Sequence, residues 1–154
     1  MGGSQEPPAV AADTLHRFFD DKVAGVRAAT ADAAPPAFTD VPPGCSLCMF
    51  RPLTVADVVA GVRALPDKQC ASDPLPTRLL KDNVDALAPF LVELFNRSMA
   101  LGVVPSVFKM AYITPLLKKA DLDPTDAKSY RPISNLSVLS KLLERLVARE
   151  LLDY

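Results

Sequence analysis

Proline restricts the fold of this chain more than any other residue, because it occurs 15 times among 154 residues. A proline ring fixes φ and removes a backbone hydrogen-bond donor, so it interrupts helices and is excluded from the middle of sheets. Five prolines lie within 32–53, which we expect to be a linker and the best candidate for a domain boundary. The chain should therefore form helical segments separated by proline-containing loops, and an all-β fold is disfavoured.

Between these loops, apolar residues recur at the spacing of amphipathic helices. Helices are predicted over 14–31, over 54–65 with Thr54 as N-cap and Asp57 in its first turn, around Leu79, over 84–100 with Gly102 beyond its end, and over 137–152. Residues 1–13 are small and polar, and we expect a disordered start there.

A strand is predicted over 109–117, which mixes aromatic, β-branched and leucine residues. Pro115 would break a helix and suggests an edge strand. A polar turn over 121–129 leads to a possible second strand over 131–133 that pairs back. The predicted fold class is therefore α+β and mainly helical, with a helical leader, a short β-hairpin and a C-terminal helix. Its predicted segments are 1–13 (disordered start), 14–53 (helix and linker), 54–108 (helical leader) and 109–154.

Charge is distributed unevenly along the chain. Residues 109–149 carry a net charge of +4, whereas the remainder carries −5. This gradient favours an anion-facing surface in the C-terminal part, although a solvated face would have the same composition. The three cysteines, and the absence of a long apolar run or a secretory start, lead us to expect an intracellular protein, cytoplasmic or nuclear, without a membrane partner.

Two blocks of the sequence carry a family resemblance. Residues 109–119 (KMAYITPLLKK), with Leu122-Asp123 and residues 129–154 (SYRPISNLSVLSKLLERLVARELLDY), resemble the first fingers block of reverse transcriptases from non-LTR, LINE-type retrotransposons of the jockey-like group. Upstream, residues 50–54 (FRPLT) and 70–81 (CASDPLPTRLLK) resemble the leader region of the same enzymes, in the same order. The likeness spans roughly residues 14–154.

The resemblance implies a site for nucleotide phosphates. In the family, a fingers arginine and lysine grip the phosphates of the incoming nucleotide; here Arg131 matches the arginine, and Lys118 or Lys119 matches the lysine. An exposed basic turn that binds nothing is the alternative. Because Pro132 limits the backbone beside Arg131, the guanidinium should be presented from a stiff segment, and its planar fork suits bidentate phosphate contacts.

The resemblance also implies the partners and the limits of the chain. The full enzyme would act on an RNA template, a DNA primer and deoxynucleoside triphosphates with Mg²⁺. Its metal-binding aspartates lie in palm blocks that follow the last helix in this chain. We therefore expect no catalytic residue, no metal site and no cofactor in this chain, which should be a truncated piece of an RNA-directed DNA polymerase that is inactive alone.

Lys141, Arg145 and Arg149 recur every four residues along the polar face of the last predicted helix. Such a row can follow a nucleic-acid backbone, and we expect it to contact the template–primer. The same row could instead be a solvated face supported by i,i+4 pairs, with Glu144 on the neighbouring row.

Two further motifs have simpler explanations. Residues 18–21 (FFDD) imitate the aromatic-x-Asp-Asp metal box of reverse transcriptases, but they lie upstream of the fingers block and in helical periodicity, so we reject a metal role. Cys45 and Cys48 have the spacing of a zinc knuckle, and Cys70 with His16 could complete four ligands. Because the second pair lacks knuckle spacing, ordinary thiols are favoured over a zinc site.

The principal rival function is a non-enzymatic helical module that binds a partner protein. The last predicted helix carries an apolar stripe, formed by Leu139, Leu142, Leu143, Leu146, Val147 and Leu151. In a chain that lacks a palm, we expect this stripe to remain partly in water, where it could bind a protein.

Overall fold

The computed structural model describes residues 10–38, 47–67 and 73–153. These residues form α1 (Ala12–Ala29), α2 (Val55–Arg63), α3 (Thr77–Asp82), α4 (Val84–Leu101), α5 (Ser106–Lys109), β1 (Ala111–Leu117), a single 3-10 turn (Ala127–Ser129), β2 (Tyr130–Leu136) and α6 (Val138–Leu152). The two strands pair as one antiparallel hairpin. More than half of the described residues are helical, so the predicted α+β, mainly helical class is confirmed.

Local signals place the ends of two helices. Thr54 accepts a hydrogen bond from the Asp57 N–H at 3.2 Å, and the Asp57 carboxylate accepts one from the Thr54 N–H at 2.8 Å, which completes a capping box at the start of α2. At the end of α4, Gly102 adopts φ 62°, a left-handed conformation that costs glycine little. Both ends were predicted from the sequence.

Other element bounds differ from the prediction. α1 begins at Ala12 rather than residue 14, and Val10 before it is buried, so the described part of the predicted disordered start is ordered. The strand predicted from residue 109 begins instead at Ala111, because residues 106–109 form one helical turn that buries Phe108 against Phe95, with 6.4 Å between ring centroids. β2 is also longer than the predicted 131–133.

The described residues group into two compact units. Unit one contains 10–38 and 113–134, and unit two contains 47–67, 73–112 and 135–153. The predicted segments 54–108 and 109–154 do not coincide with these units, since 113–134 groups with α1. The boundary predicted within 32–53 lies partly outside the described residues, which omit 39–46.

Unit two has one continuous apolar core formed by α2, α3, α4, α5 and α6. Its fully buried side chains include Phe95, Leu80, Val58 and Val62. α2 packs closely on α6 at Gly61, where an added Cβ would lie 3.0 Å from Leu142 Cδ1. The absence of a side chain at this position therefore permits the two helices to approach.

The apolar stripe of α6 is largely buried within unit two. Leu142, Leu143 and Leu146 are at most 5% exposed and pack with α2 and α4, whereas Leu151 is 54% exposed. The expectation that the stripe remains partly in water is therefore met at Leu151, whereas the central residues of the stripe are covered. The chain supplies its own covering surface, because α2 presents Val58 and Val62 to the same core.

Candidate functional site

The predicted phosphate-binding cations lie at the end of the hairpin in unit one. The Lys118 N–H donates to the Ser129 carbonyl at 2.9 Å, which continues the strand pairing by one residue beyond β1. The loop between the strands therefore spans 118–129. Pairing at its base brings the ends of both strands to the spacing of neighbouring strands, about 4.8 Å.

The two strands present different chemistry on their two faces. Leu117 and Tyr130 pack with Leu15 of α1 on one face. Because successive side chains of a strand alternate between faces, Lys118 and Arg131, which follow them, share the opposite face. Arg131 is exposed there, and so is Lys118.

The loop is organised by two aspartates. Asp123 Oδ1 accepts hydrogen bonds from the N–H and the hydroxyl of Thr125, at 2.8 and 2.7 Å. Asp126 accepts a hydrogen bond from the Lys128 N–H at 2.9 Å and caps the 3-10 turn. The hydrogen bonds from Thr125 hold the pKa of Asp123 below its ordinary value. Both carboxylates are thus used in turns of the loop itself.

The cations of the hairpin differ in their partners. The Lys118 ammonium donates to the Lys128 carbonyl oxygen at 2.6 Å. Lys119 and Arg131 are exposed, and in the part of the chain that the structure describes their side chains form no ion pair or hydrogen bond. Three of the predicted site residues are therefore brought to one end of the hairpin, but Lys118 is already engaged within the loop.

The predicted row on α6 lies in unit two, and the structure divides it. Arg145 is exposed and Lys141 is half-buried. The Arg149 guanidinium donates to Asp57 Oδ1 at 3.2 Å and is therefore held against the start of α2. Among the residues described, Glu144 forms no ion pair with Lys141, Arg145 or Arg149. The alternative explanation of the row, a solvated face supported by ion pairs with Glu144, therefore has no direct contact behind it.

Asp57 is the centre of an ion-pair network that sequence reasoning missed. Arg51 bonds to Asp57 at 3.0 Å and to Glu150 at 2.9 Å, so α2 and the end of α6 are connected through the residues before α2. Hydrogen bonds from Arg51 and Thr54 hold the pKa of Asp57 far below its ordinary range. The sequence contained only a weak signal for this network, namely Arg51 within the leader motif.

No metal-ligating cluster is found among residues 10–38, 47–67 and 73–153, where no group of three or more His, Cys, Asp or Glu side chains could hold an ion. Asp20 and Asp21 lie exposed on α1, and Asp20 pairs with His16 at 3.4 Å. Cys48 is exposed. Cys45 and Cys70 lie outside the described residues, so the zinc-knuckle hypothesis stays untested.

None of the described helices combines the length and apolar character needed to cross a bilayer.

The relatives of the chain include RNA-directed DNA polymerases of mobile elements. It is 35% identical over 101 residues, 65% of its length, to the RNA-directed DNA polymerase from mobile element jockey of Drosophila melanogaster. It is 34% identical over 105 residues, 68% of its length, to the probable RNA-directed DNA polymerase from transposon BS of the same species. It is also 37% identical over 62 residues, 40% of its length, to a putative 115 kDa protein in the type-1 retrotransposable element R1DM of that species.

The chain spans only a small part of these relatives, 11% of the jockey polymerase, 12% of the BS polymerase and 6% of the R1DM protein. No protein-family model matches the chain. The resemblance to polymerases of non-LTR retrotransposons that the sequence predicted is nevertheless confirmed over the matched residues.

Proposed function

We propose that this chain contributes nucleotide and template–primer contacts to a LINE-type RNA-directed DNA polymerase. The observation that carries the proposal is the pair of exposed cations, Lys119 and Arg131, beside Lys118 at one end of a hairpin, in a chain whose relatives bear the name of such polymerases. A triphosphate presents several anionic oxygens close together, so cations that converge from two strands suit it.

Arg131 has the central role in this proposal. Its guanidinium can donate two parallel hydrogen bonds to one phosphate, whereas a lysine ammonium acts as a compact point charge. Pro132 follows it directly and limits the backbone at the start of β2. A cation that is already in place loses less conformational entropy on binding, so the strand supports affinity without contacting the ligand itself.

The field at the hairpin is only moderately positive. Lys118, Lys119, Lys128 and Arg131 stand against Asp121, Asp123 and Asp126. Binding must therefore depend on direct hydrogen bonds to the phosphates more than on the overall charge of the loop. A change in one cation should consequently have a larger effect than a change in a distant charge.

Lys141 and Arg145 would contact the phosphate backbone of the template–primer. Arg149 would do so only while sharing its guanidinium with Asp57. Such contacts position a nucleic acid without reading its sequence, so we expect the three residues to affect affinity and salt dependence rather than sequence preference.

Titration of a deoxynucleoside triphosphate with Mg²⁺ into the wild-type chain and into Arg131→Ala tests the proposal. We expect micromolar-to-millimolar binding by the wild type and a loss of about 10-fold to 100-fold in Arg131→Ala, the range for a charged hydrogen bond. Arg27→Ala is the matched control, because Arg27 is an exposed arginine on α1 of the same unit. Equal affinity of Arg131→Ala and the wild type would contradict the proposal.

The proposal also includes that the chain alone does not extend a primer and that it works inside the cell, in the cytoplasm or nucleus. A primer-extension assay with Mg²⁺, an RNA template and a DNA primer tests the first statement, and an extended product would contradict it.

The rival function, a protein-binding module, is weakened because Leu142, Leu143 and Leu146 are covered within unit two.

A further inference from the structure

Two hydrogen bonds connect the 118–129 loop to the ends of the strands. The Tyr130 hydroxyl donates to the Pro124 carbonyl oxygen at 2.8 Å, near the middle of the loop. The Lys118 ammonium donates to the Lys128 carbonyl oxygen at 2.6 Å, near its end. Together with the backbone bond from Lys118 to Ser129, they hold both halves of the loop against the hairpin.

Tyr130 cannot itself be a ligand-binding group on the cation face. Its side chain is 6% exposed and packs with Val10 and Leu15 on the face covered by α1. Because Arg131 follows it on the opposite face of the strand, the hydroxyl and the guanidinium point away from each other. The hydroxyl therefore acts on the loop, through Pro124, and not on a ligand.

The loop carries three aspartates that would repel a phosphate. In the 118–129 loop, Asp123 accepts a hydrogen bond from the Thr125 backbone N–H and Asp126 accepts one from the Lys128 backbone N–H. These bonds direct both carboxylates toward the loop's own backbone. A loop released from the strands would allow the carboxylates to approach a bound triphosphate, where like charges are unfavourable.

We propose that Tyr130 and Lys118 are positioning residues, which hold the loop so that Lys119 and Arg131 meet the phosphates of one nucleotide together. The inference rests on the proposed function and deepens it by assigning Lys119, rather than Lys118, as the lysine that touches phosphate. Lys118 has an internal acceptor, whereas the Lys119 side chain has none among the described residues. Cations fixed in place before binding require less ordering when the nucleotide arrives.

Tyr130→Phe tests the role of the hydroxyl without changing charge. The wild type and the variant, both as the full chain, are titrated with dTTP and Mg²⁺, and the unfolding of each is followed in urea. We expect the affinity to fall about twofold to tenfold, the range for loss of one neutral hydrogen bond. Tyr112→Phe is the matched control, since Tyr112 is 60% exposed and lies in unit two. The dTTP affinity of this variant should equal that of the wild type.

A merely structural hydroxyl would lower the urea midpoint of Tyr130→Phe and leave the dTTP affinity of the folded chain unchanged. That result would overturn the positioning role. Should Tyr130→Phe fail to fold, the lysine variants decide the question alone.

Lys118→Met and Lys119→Met separate contact from positioning through their salt dependence. Removing a lysine that touches phosphate makes the slope of log affinity against log salt shallower, because salt no longer screens that attraction. We expect this shallower slope in Lys119→Met, whereas Lys118→Met should lose affinity with a slope close to that of the wild type. Lys118→Arg, which keeps a charged donor for the Lys128 carbonyl, should restore most of the affinity.

The outcomes separate this inference from the function on which it rests. An absence of dTTP binding by the wild type, or unchanged binding by Arg131→Ala, would overturn both. Binding that depends on Arg131 but not on Tyr130, or an equal decrease in slope for both lysine variants, would overturn the positioning role alone.

Discussion

Unit two and unit one differ in what holds them together. Among the residues that the structure describes, fourteen buried residues form one core cluster in unit two, whereas Val10, Leu15 and Tyr130 form the cluster of unit one. The candidate phosphate site lies in the unit with the smaller core and depends on hydrogen bonds within a loop. Sites that bind ligands are often drawn from the less stable parts of a fold, and this chain follows that pattern.

Phe95→Ala should have the largest effect, because it removes a side chain that is 0% exposed at the centre of unit two. Truncation of a buried phenylalanine costs about 3–5 kcal/mol. Urea unfolding followed by circular dichroism measures the loss. Phe90→Ala on the same helix is the control, since Phe90 is 68% exposed and should change stability by less than about 0.5 kcal/mol. Equal effects of the two variants would contradict the description of this core.

Leu15→Ala should have the next largest effect, about 2–3 kcal/mol, the low end for a buried leucine, because few side chains surround it in unit one. Amide hydrogen exchange measures where protection is lost. We expect faster exchange in α1 and little change in α6. Val23→Ala, at a 49% exposed position of α1, is the control. Equal loss of protection in α6 would show that the two units do not differ in local stability.

Gly61→Val should destabilise unit two by about 1–3 kcal/mol through overpacking. A Cβ at Gly61 would lie 3.0 Å from Leu142 Cδ1 and 3.3 Å from Leu146 Cδ2, and the branched side chain adds further atoms. Gly25→Ala, in α1 of unit one, is the opposite case. It has nothing within 4 Å and should stabilise the helix by about 0.5–1 kcal/mol. Thermal unfolding of both variants measures the expected loss of stability in Gly61→Val and the expected gain in Gly25→Ala. Stabilisation by Gly61→Val would contradict the close packing of α2 on α6.

Asp57→Asn should have a smaller effect than Phe95→Ala or Leu15→Ala, about 1 kcal/mol at neutral pH, because it weakens the capping box. The pKa of Asp57 in the folded chain lies below its ordinary value of 3.8, so the ionised carboxylate stabilises the folded state above that value. This contribution is lost as the pH falls below 3.8 toward the lower pKa of the folded chain. The stability difference between wild type and variant should therefore be constant near neutral pH and shrink in acid. A difference that grows as the pH falls would refute this assignment.

Predictions from the sequence succeeded where the signal is local. Thr54 and Asp57 lie three residues apart and cap the helix that they start, and Gly102 ends the helix that precedes it. Pro115 correctly favoured a strand over a helix for this segment, and it lies within β1. The grouping of three cations at one hairpin could also be predicted, because the paired strands of a hairpin bring the two ends of their connecting loop together.

Prediction failed where a distant contact overrides the local pattern. The helical turn at α5 exists because Phe108 packs on Phe95, and its carbonyl accepts a hydrogen bond from the Ser140 hydroxyl at 2.8 Å. Packing of this kind exceeds the preference of a single residue.

The amino-acid sequence by itself determined the order of the helices, the hairpin, two helix ends and the basic character of the C-terminal part. Only the tertiary structure decided that the α6 stripe is covered, that Lys118 bonds within its own loop and that Arg149 is held by Asp57, 92 residues earlier in the chain. The physical reason is one of range. Caps, turns and proline act within a few residues, whereas the partner of a side chain depends on which surfaces the whole chain buries together.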